Sequence, residues 1–434
     1  MLFDYENDFE AARKEVAYAY ENVLFFRRHM EAAQLTPGDI KRPDDFSKIP
    51  PTEKRHYRKN FPVDVLAKGY SLKEERLSRF PSAGTSGERL LTVELGHIYL
   101  RRAIECTSVY PLIHSVYNAQ PLRQLRYAAP NCSDVECANP NSTMEDRLLR
   151  DGTLVLSVYH DLLTTPGRIL EQNLKELDLH QPQIYFIDAN HLAFLLRYRR
   201  TQPKANIPPK APILASYSPC LKVSKRQILD ALGRDVPFAE VIAMSEMGFV
   251  AMECPFENLH LNTKSFYMEL LCKGRPAEPG EMAELYVTTL DNGCIPHIRY
   301  RTGDIYRFLS TQCLCGHDFP VVKLEGRLRN FLFREGQIAL TPKALDKIVG
   351  NPRWMDLYKI TQSDDTDFLF NFIANDTYEG NQEEYIRKEL SQALGRDIDI
   401  AVERTDYIPT ERSGKFLSCV SKVGEKNVEN GFSL

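Results

Sequence analysis

Between residues 7 and 33 the apolar residues Phe9, Ala12, Val16, Ala19, Val23 and Phe26 recur at three- and four-residue steps. This is the spacing of one long amphipathic helix. A proline-punctuated stretch leads into IPPTEKRHYRKNFP, residues 49–62, which reads as a turn and a short helix. A second periodic segment predicts a helix over about 96–116. The middle of the chain alternates strand-like runs at 154–158, 184–187, 213–215 and 241–243 with helical ones at 166–176, 190–200 and 224–232. Such alternation predicts an α/β sheet wound with helices.

After Gly248 the pattern changes to short strands, FYMELL, AELYVTTL and HIRYRTGDIYRFL, with little helix between them. From Gly326 onward a strand, a helix near 342–349, paired strands across 357–373, a helix over 382–393 and a strand at 398–402 suit a separate α+β domain. The expected fold class is therefore α/β. A large N-terminal domain, 1–326, includes a β-rich subdomain at about 249–326, and a smaller α+β domain, 327–434, follows it.

Composition changes this picture little: 43% hydrophobic and 26% charged residues are ordinary for a globular chain. A formal net charge of −4 gives no global basic field to draw the protein to nucleic acid or anionic membrane. The basic run at 197–200 reads as a solvated helix face. No apolar stretch is long enough to span a bilayer, and the acidic start lacks a signal-peptide layout, so a cytoplasmic enzyme is expected. Ten scattered cysteines suit reduced thiols rather than a secreted disulfide framework.

Candidate chemistry lies in four short segments. FPSAGTSGE, residues 80–88, offers the small residues Ser82, Gly84, Thr85, Ser86 and Gly87, whose amides and hydroxyls can bond phosphate oxygens where no bulk intervenes. YRTGD, residues 300–304, puts Asp304 where a carboxylate can grip ribose hydroxyls. EGR, residues 325–327, supplies Arg327 for phosphate or ribose. PTERSGK, residues 409–415, presents Lys415 on a glycine-containing turn. Each segment alone is an ordinary turn or loop.

A second constellation joins Cys254 and His260, with five residues between them, to Cys313 and Cys315 on a glycine turn. Three sulfurs and one imidazole make a closed tetrahedral zinc site of structural type, with His317 a rival for the fourth ligand.

Taken in order, the four phosphate and carboxylate segments resemble the adenylate-forming ligase superfamily. The nearest likeness is to its phenylacetate–coenzyme A ligase branch, through the early IPPTEKRHYRKNFP, SEMGFVAMEC at 245–254 and IPHIRYRTGD at 295–304. The resemblance implies a fold with a mobile C-terminal domain turning about 327–330. It implies ATP-dependent activation of a small carboxylic acid, of aryl type in view of the apolar walls, with Mg²⁺ and transfer to coenzyme A as the second step. Transfer to an amine or a carrier protein is the alternative, and a non-catalytic nucleotide- or ligand-binding relative is another. A homodimer is implied by the likeness alone.

The same resemblance gives residues their roles. Ser82, Gly84, Thr85, Ser86 and Gly87 would cradle phosphates. Ser245 and Glu246 would stand by the α-phosphate, Glu246 holding Mg²⁺, and Lys415 would be the catalytic lysine. Ser216, Tyr217, Ser218, Ile242, Ala243 and Met244 would surround the nucleotide, with Asp304 on the ribose and Arg327 beside it. Tyr159, Ala215, Met247 and Gly248 would wall the acid pocket. The chain departs from the family's pattern at Glu88, where relatives carry lysine, at 216–219 and 242–243 beside the adenine, and at Asn330 in the hinge.

Overall fold

The computed structural model describes residues 7–434 except 82–89, 131, 133, 136, 203, 396, 397, 399 and 433. The chain forms two compact units, each assembled from separated segments. One comprises 1–118 and 241–324 with the terminal Leu434, and the other 119–240 and 325–433.

The first unit opens with two helices, Phe9–Asn22 and Leu24–Ala32, where periodicity predicts one. Asp8 caps the first by accepting from the Ala11 amide at 2.8 Å. Val23 then leaves the helical region, with φ −117° and ψ 111°. Its amide still closes the first helix on Ala19, while the Phe25 amide bonds the Asp64 carbonyl at 2.8 Å. The break turns the chain so that Phe25, Phe26 and Met30 reach the core. The helix expected over 96–116 is likewise two, Gly96–Thr107 and Pro111–Asn118. Proline has no amide hydrogen and suits the first position of the second helix.

The remainder of this unit is largely antiparallel sheet. Met282–Thr289 pairs on one side with Phe266–Cys272 and on the other with Tyr300–Ser310. Leu259–Leu261 lies between Gly248–Glu253 and the start of Val321–Arg327.

In the second unit Gln124–Tyr127 runs parallel to Leu154–Val155 and Ile184–Ile187, followed by Ile213–Ala215 and the first residues of Phe238–Met244. Ile184–Ile187 and Ile213–Ala215 are buried at every position, the signature of parallel strands covered on both faces. Helices Gly167–His180, Ala189–Thr201 and Lys222–Leu232 accompany them. The C-terminal segment adds a four-stranded sheet. Phe368–Ala374 and Met355–Gln362 are central, with Ala401–Arg404 and Cys419–Ser421 at the edges, and helices Pro342–Val349 and Glu384–Leu394 belong to the same segment. The architecture is mixed α/β, as the alternation predicts.

The basic run at 197–200 is only partly a solvated face. Arg200 is 52% exposed, but Arg197 is 17% exposed, and both lie 3.5 Å from the buried Asp356 carboxylate. Helical periodicity puts neighbouring members of such a run on different faces. No helix among the described residues is long and apolar enough to cross a membrane.

Candidate active site

In the first unit the site is built around Glu246, in the tight turn between Phe238–Met244 and Gly248–Glu253. The turn is held through its carbonyls. Thr92 Oγ1 and Tyr99 Oη donate to Ser245 O at 3.0 and 2.9 Å, and Arg102 Nη1 donates to Met247 O at 2.9 Å. Gly248 sits at φ +79°, and a Cβ there would meet the Tyr99 ring at 2.9 Å, so glycine permits both the turn and the close approach.

Glu246 itself is buried, with Tyr300 Oη donating to Oε1 at 3.2 Å and Lys54 Nζ at 3.4 Å. Burial alone would raise the carboxyl, but the Lys54 ammonium, its own amide, His297 and the Tyr300 hydroxyl together hold it below the usual range. His297, stacked on Tyr57 at 4.5 Å, is pushed by burial down to about 4 despite Glu246 and is neutral at pH 7. Lys54 was not singled out from the sequence, although it lies in the quoted 49–62 segment. A backbone bridge puts it in place: the Thr52 amide bonds Arg299 O at 3.1 Å and the Arg301 amide bonds Thr52 O at 2.9 Å, fixing this segment beside the Tyr-Arg-Thr-Gly-Asp strand.

Asp304 lies inside strand Tyr300–Ser310 at an irregularity where residues 302–304 face Leu285. Thr302 Oγ1 donates to Leu285 O at 2.9 Å and accepts from the Asp304 amide at 3.1 Å, while Gly303 takes φ +75°. A bulge of this kind re-aims a side chain without ending the strand. The loop residues Ser82, Gly84, Thr85, Ser86, Gly87 and Glu88 lie outside the described residues; the strands flanking them, Leu77–Pro81 and Leu91–Leu95, pair antiparallel. Of the remaining expected residues in this unit, Ile242 and Met244 are half-buried, Ala243 is exposed, and Met247 is wholly inside the core.

In the second unit the Lys415 turn meets the 216–218 segment. Lys415 Nζ donates to Tyr217 O at 2.9 Å. The turn is closed by the Gly414 amide on Glu411 O at 2.7 Å and the Glu411 amide on Lys415 O at 2.9 Å. Gly414, at φ +79°, passes so close to neighbouring segments that a Cβ would lie 3.0 Å from the Pro130 ring and 3.1 Å from His160 O. Tyr217 also has a positive φ of 70°, uncommon for a bulky residue. Its ring packs edge-on against Phe186 at 5.1 Å, and its hydroxyl donates to Asp134 Oδ2 at 2.8 Å. Burial raises this phenol well above its ordinary value, so it stays a donor. Ser216 is buried with its amide on Ile187 O at 2.8 Å, and Ser218 Oγ donates to the buried Asp188 at 2.5 Å. Ala215 is buried and Tyr159 half-buried.

Arg327 is exposed at the end of its strand, after Gly326 at φ +119°. The following turn, Leu328–Asn330, is packed closely by helix Lys422–Glu429, where a Cβ on Gly424 would fall 2.5 Å from Arg329 O.

The metal candidates converge. The ligand atoms of Cys254, His260, Cys313 and Cys315 all lie within 4.8 Å of one another. Cys254 Sγ is 3.8 Å from Cys313 Sγ, and Cys315 Sγ is 3.5 Å from His260 Nε2. Tetrahedral zinc with sulfur at about 2.3 Å and nitrogen at about 2.0 Å requires edges of about 3.8 and 3.5 Å. His260 Nδ1 bonds Phe319 O at 2.9 Å, which leaves Nε2 for a metal. His317 is turned elsewhere, with Nε2 on Ser108 Oγ at 3.0 Å.

The chain matches phenylacetate-coenzyme A ligase of Escherichia coli strain K12 at 26% identity over 303 residues, covering 67% of this chain and 64% of that protein. With the Aromatoleum evansii phenylacetate-coenzyme A ligase it shares 24% identity over 426 residues, 91% of this chain and 88% of the relative. The chain is a distant relative of the phenylacetate-coenzyme A ligases. Its match to the E. coli ligase takes in less than two thirds of that protein's length. The family described as CapK C-terminal domain matches residues 332–422, beginning just beyond the Leu328–Asn330 turn. The fold is that of adenylate-forming enzymes: 2-hydroxyisobutyryl-CoA ligase, solved in complex with 2-HIB-AMP, superposes with a TM-score of 0.73 at 16% identity, over 97% of this chain and 90% of that one.

Proposed function

We propose that this phenylacetate-coenzyme A ligase relative uses ATP to activate a small carboxylic acid, releasing pyrophosphate, and passes the acyl group to coenzyme A. The observation that carries this reading is the hydrogen bond between Lys415 Nζ and Tyr217 O. It joins the expected catalytic lysine to the segment expected beside the adenine.

In this reaction a carboxylate oxygen attacks the α-phosphorus in line as pyrophosphate leaves. Negative charge is present on nucleophile, equatorial oxygens and leaving group, so fixed positive charge lowers the barrier more than proton transfer does. Lys415 supplies a cation on a turn whose backbone is locked at Gly414. Glu246, kept ionised by Lys54 and Tyr300, would hold Mg²⁺, with Ser245 beside it; the ion when bound neutralises phosphate charge. The carboxylate of Asp304 would bond the ribose hydroxyls, with Arg327 assisting. The phosphate cradle is assigned to Ser82, Gly84, Thr85, Ser86 and Gly87, and the nucleotide's surroundings to 216–218 and 242–244.

For the acid we favour a flat, aryl-type carboxylate, on the apolar and aromatic character of the residues that the family likeness assigns to its pocket, Tyr159, Ala215, Met247 and Gly248. Cys254, His260, Cys313 and Cys315 would hold a structural zinc, which would fix the Gly248–Glu253 hairpin to the 313–315 turn.

Acid-dependent exchange of labelled pyrophosphate into ATP, run with Mg²⁺ against aryl, heteroaryl and short aliphatic acids, tests the first step. Exchange with an aryl acid is expected; none with any acid, from folded metal-loaded protein, would overturn the reading. Acceleration of AMP release by coenzyme A tests the second step, and acceleration by an amine or carrier protein in its place would replace that acceptor.

A further inference from the structure

A cavity of about 450 Å³ opens between helices Ala189–Thr201 and Lys222–Leu232 and the loops at Arg353 and 375–377. It shares no residue with the candidate active site. Five arginines line it: Arg197, Arg199, Arg200, Arg226 and Arg353. Only Asp230 and Asp376 stand against them on the wall, and Asp230 also pairs with Arg234 at 3.1 Å. Beneath, the single carboxylate of Asp356 is shared by Arg197 and Arg200 at 3.5 Å and by Arg226 at 3.9 Å. Arg199 Nε is closed off from solvent with no hydrogen-bond partner among the described residues, and Arg353 makes no ion pair among them.

The neutral polar groups of the wall are already engaged. Gln227 Nε2 bonds Asp356 O at 2.8 Å, Asn375 Nδ2 bonds Arg353 O at 2.8 Å, and Thr377 Oγ1 bonds Asn375 Oδ1 at 2.8 Å. What the cavity offers a ligand is therefore five guanidinium groups against the two carboxylates of Asp230 and Asp376, with an apolar wall at Leu196, Ile207, Pro208 and Ala231 and no aromatic ring to stack a base. Planar guanidinium groups match phosphate oxygens two at a time, and the volume is in the range of small-molecule sites.

We propose that this cavity binds a small polyanion carrying at least two phosphate groups, held by Arg199, Arg353 and the open side of Arg200. Burial depresses the guanidinium groups of both Arg197 and Arg226, and an anion in the cavity relieves the crowding of like charge there. Seated between the two helices and the two loops, the ligand ties together segments more than a hundred residues apart in sequence.

Isothermal titration of the full chain in low salt with EDTA, using inorganic tripolyphosphate, ADP and citrate, tests this. Tripolyphosphate is expected to bind, and the paired change Arg199→Gln with Arg353→Gln to weaken it at least about tenfold, since charge-assisted hydrogen bonds are lost. Lys415→Ala should leave the binding unchanged. Equal binding of ADP would make a nucleotide the source of the phosphates, and tripolyphosphate binding alone an inorganic one. Citrate binding as tight as tripolyphosphate, no binding of either phosphate compound, or binding undiminished in the paired variant would overturn the proposal. Should the paired variant fail to fold, Arg353→Gln alone, at an exposed position, gives the same comparison.

Discussion

Lys415 Nζ and the main-chain carbonyl of Tyr217 are 2.9 Å apart although 198 residues separate them in the chain. A carbonyl acceptor leaves the ammonium its charge and two of its three donors. Lys415 is thereby oriented by a neutral acceptor, which suits the role proposed for it.

Replacing Lys415 by alanine should therefore reduce pyrophosphate exchange by roughly 10²–10³-fold, the magnitude seen when one preorganised donor is removed. The half-buried side chain contributes about 1 kcal/mol to folding through its one hydrogen bond, so the melting temperature should move little. Unchanged exchange in a folded variant would show that another group does this work.

Gly414→Ala puts a Cβ 3.0 Å from Pro130 and 3.1 Å from His160 O at φ +79°. Strain of this kind costs about 1–3 kcal/mol, and the turn relieves it by lifting away. Exchange should fall by more than about tenfold while the melt shifts by only a few degrees, because the strain is local to the turn. A melt that collapses with the activity would make Gly414 a folding residue instead.

The four sulfur and imidazole ligands predict about one zinc per chain by mass spectrometry after mild purification. Cys313→Ser should lose it and melt lower, and cobalt in its place should give thiolate charge-transfer absorption in the wild type only. Metal-free protein that melts as high as the metal-loaded form would remove the site.

Glu15 is buried, accepting from Thr289 Oγ1 at 2.8 Å and the Asn292 amide at 2.7 Å, and burial raises its carboxyl to about 7. The folded state keeps this proton while the unfolded chain loses it near the ordinary value, 4.5. Its share of stability is complete below that value and declines as pH rises towards 7, by about 3 kcal/mol at most. Glu15→Gln should flatten stability against pH across that window, as read by urea denaturation; an unchanged slope would assign the pH dependence elsewhere.

The sequence by itself determined most of the helices and strands, since their periodicities are local; it singled out the four metal candidates from residue type and spacing, and Lys415 through the family resemblance. It also marked YRTGD, but the bulge that turns Asp304 depends on the pairing with Met282–Thr289 and has no signal within the strand. Only the tertiary structure broke the first helix at Val23, where a contact with Asp64 outweighs continued helical pattern. It alone put Lys54 against Glu246 and turned His317 away from the metal candidates towards Ser108. It also gathered five arginines from two helices and a loop around one cavity, where the sequence showed only a basic run on one helix. Periodicity records which side of an element is buried; which distant residue waits on that side is set by packing between elements, and no local pattern carries it.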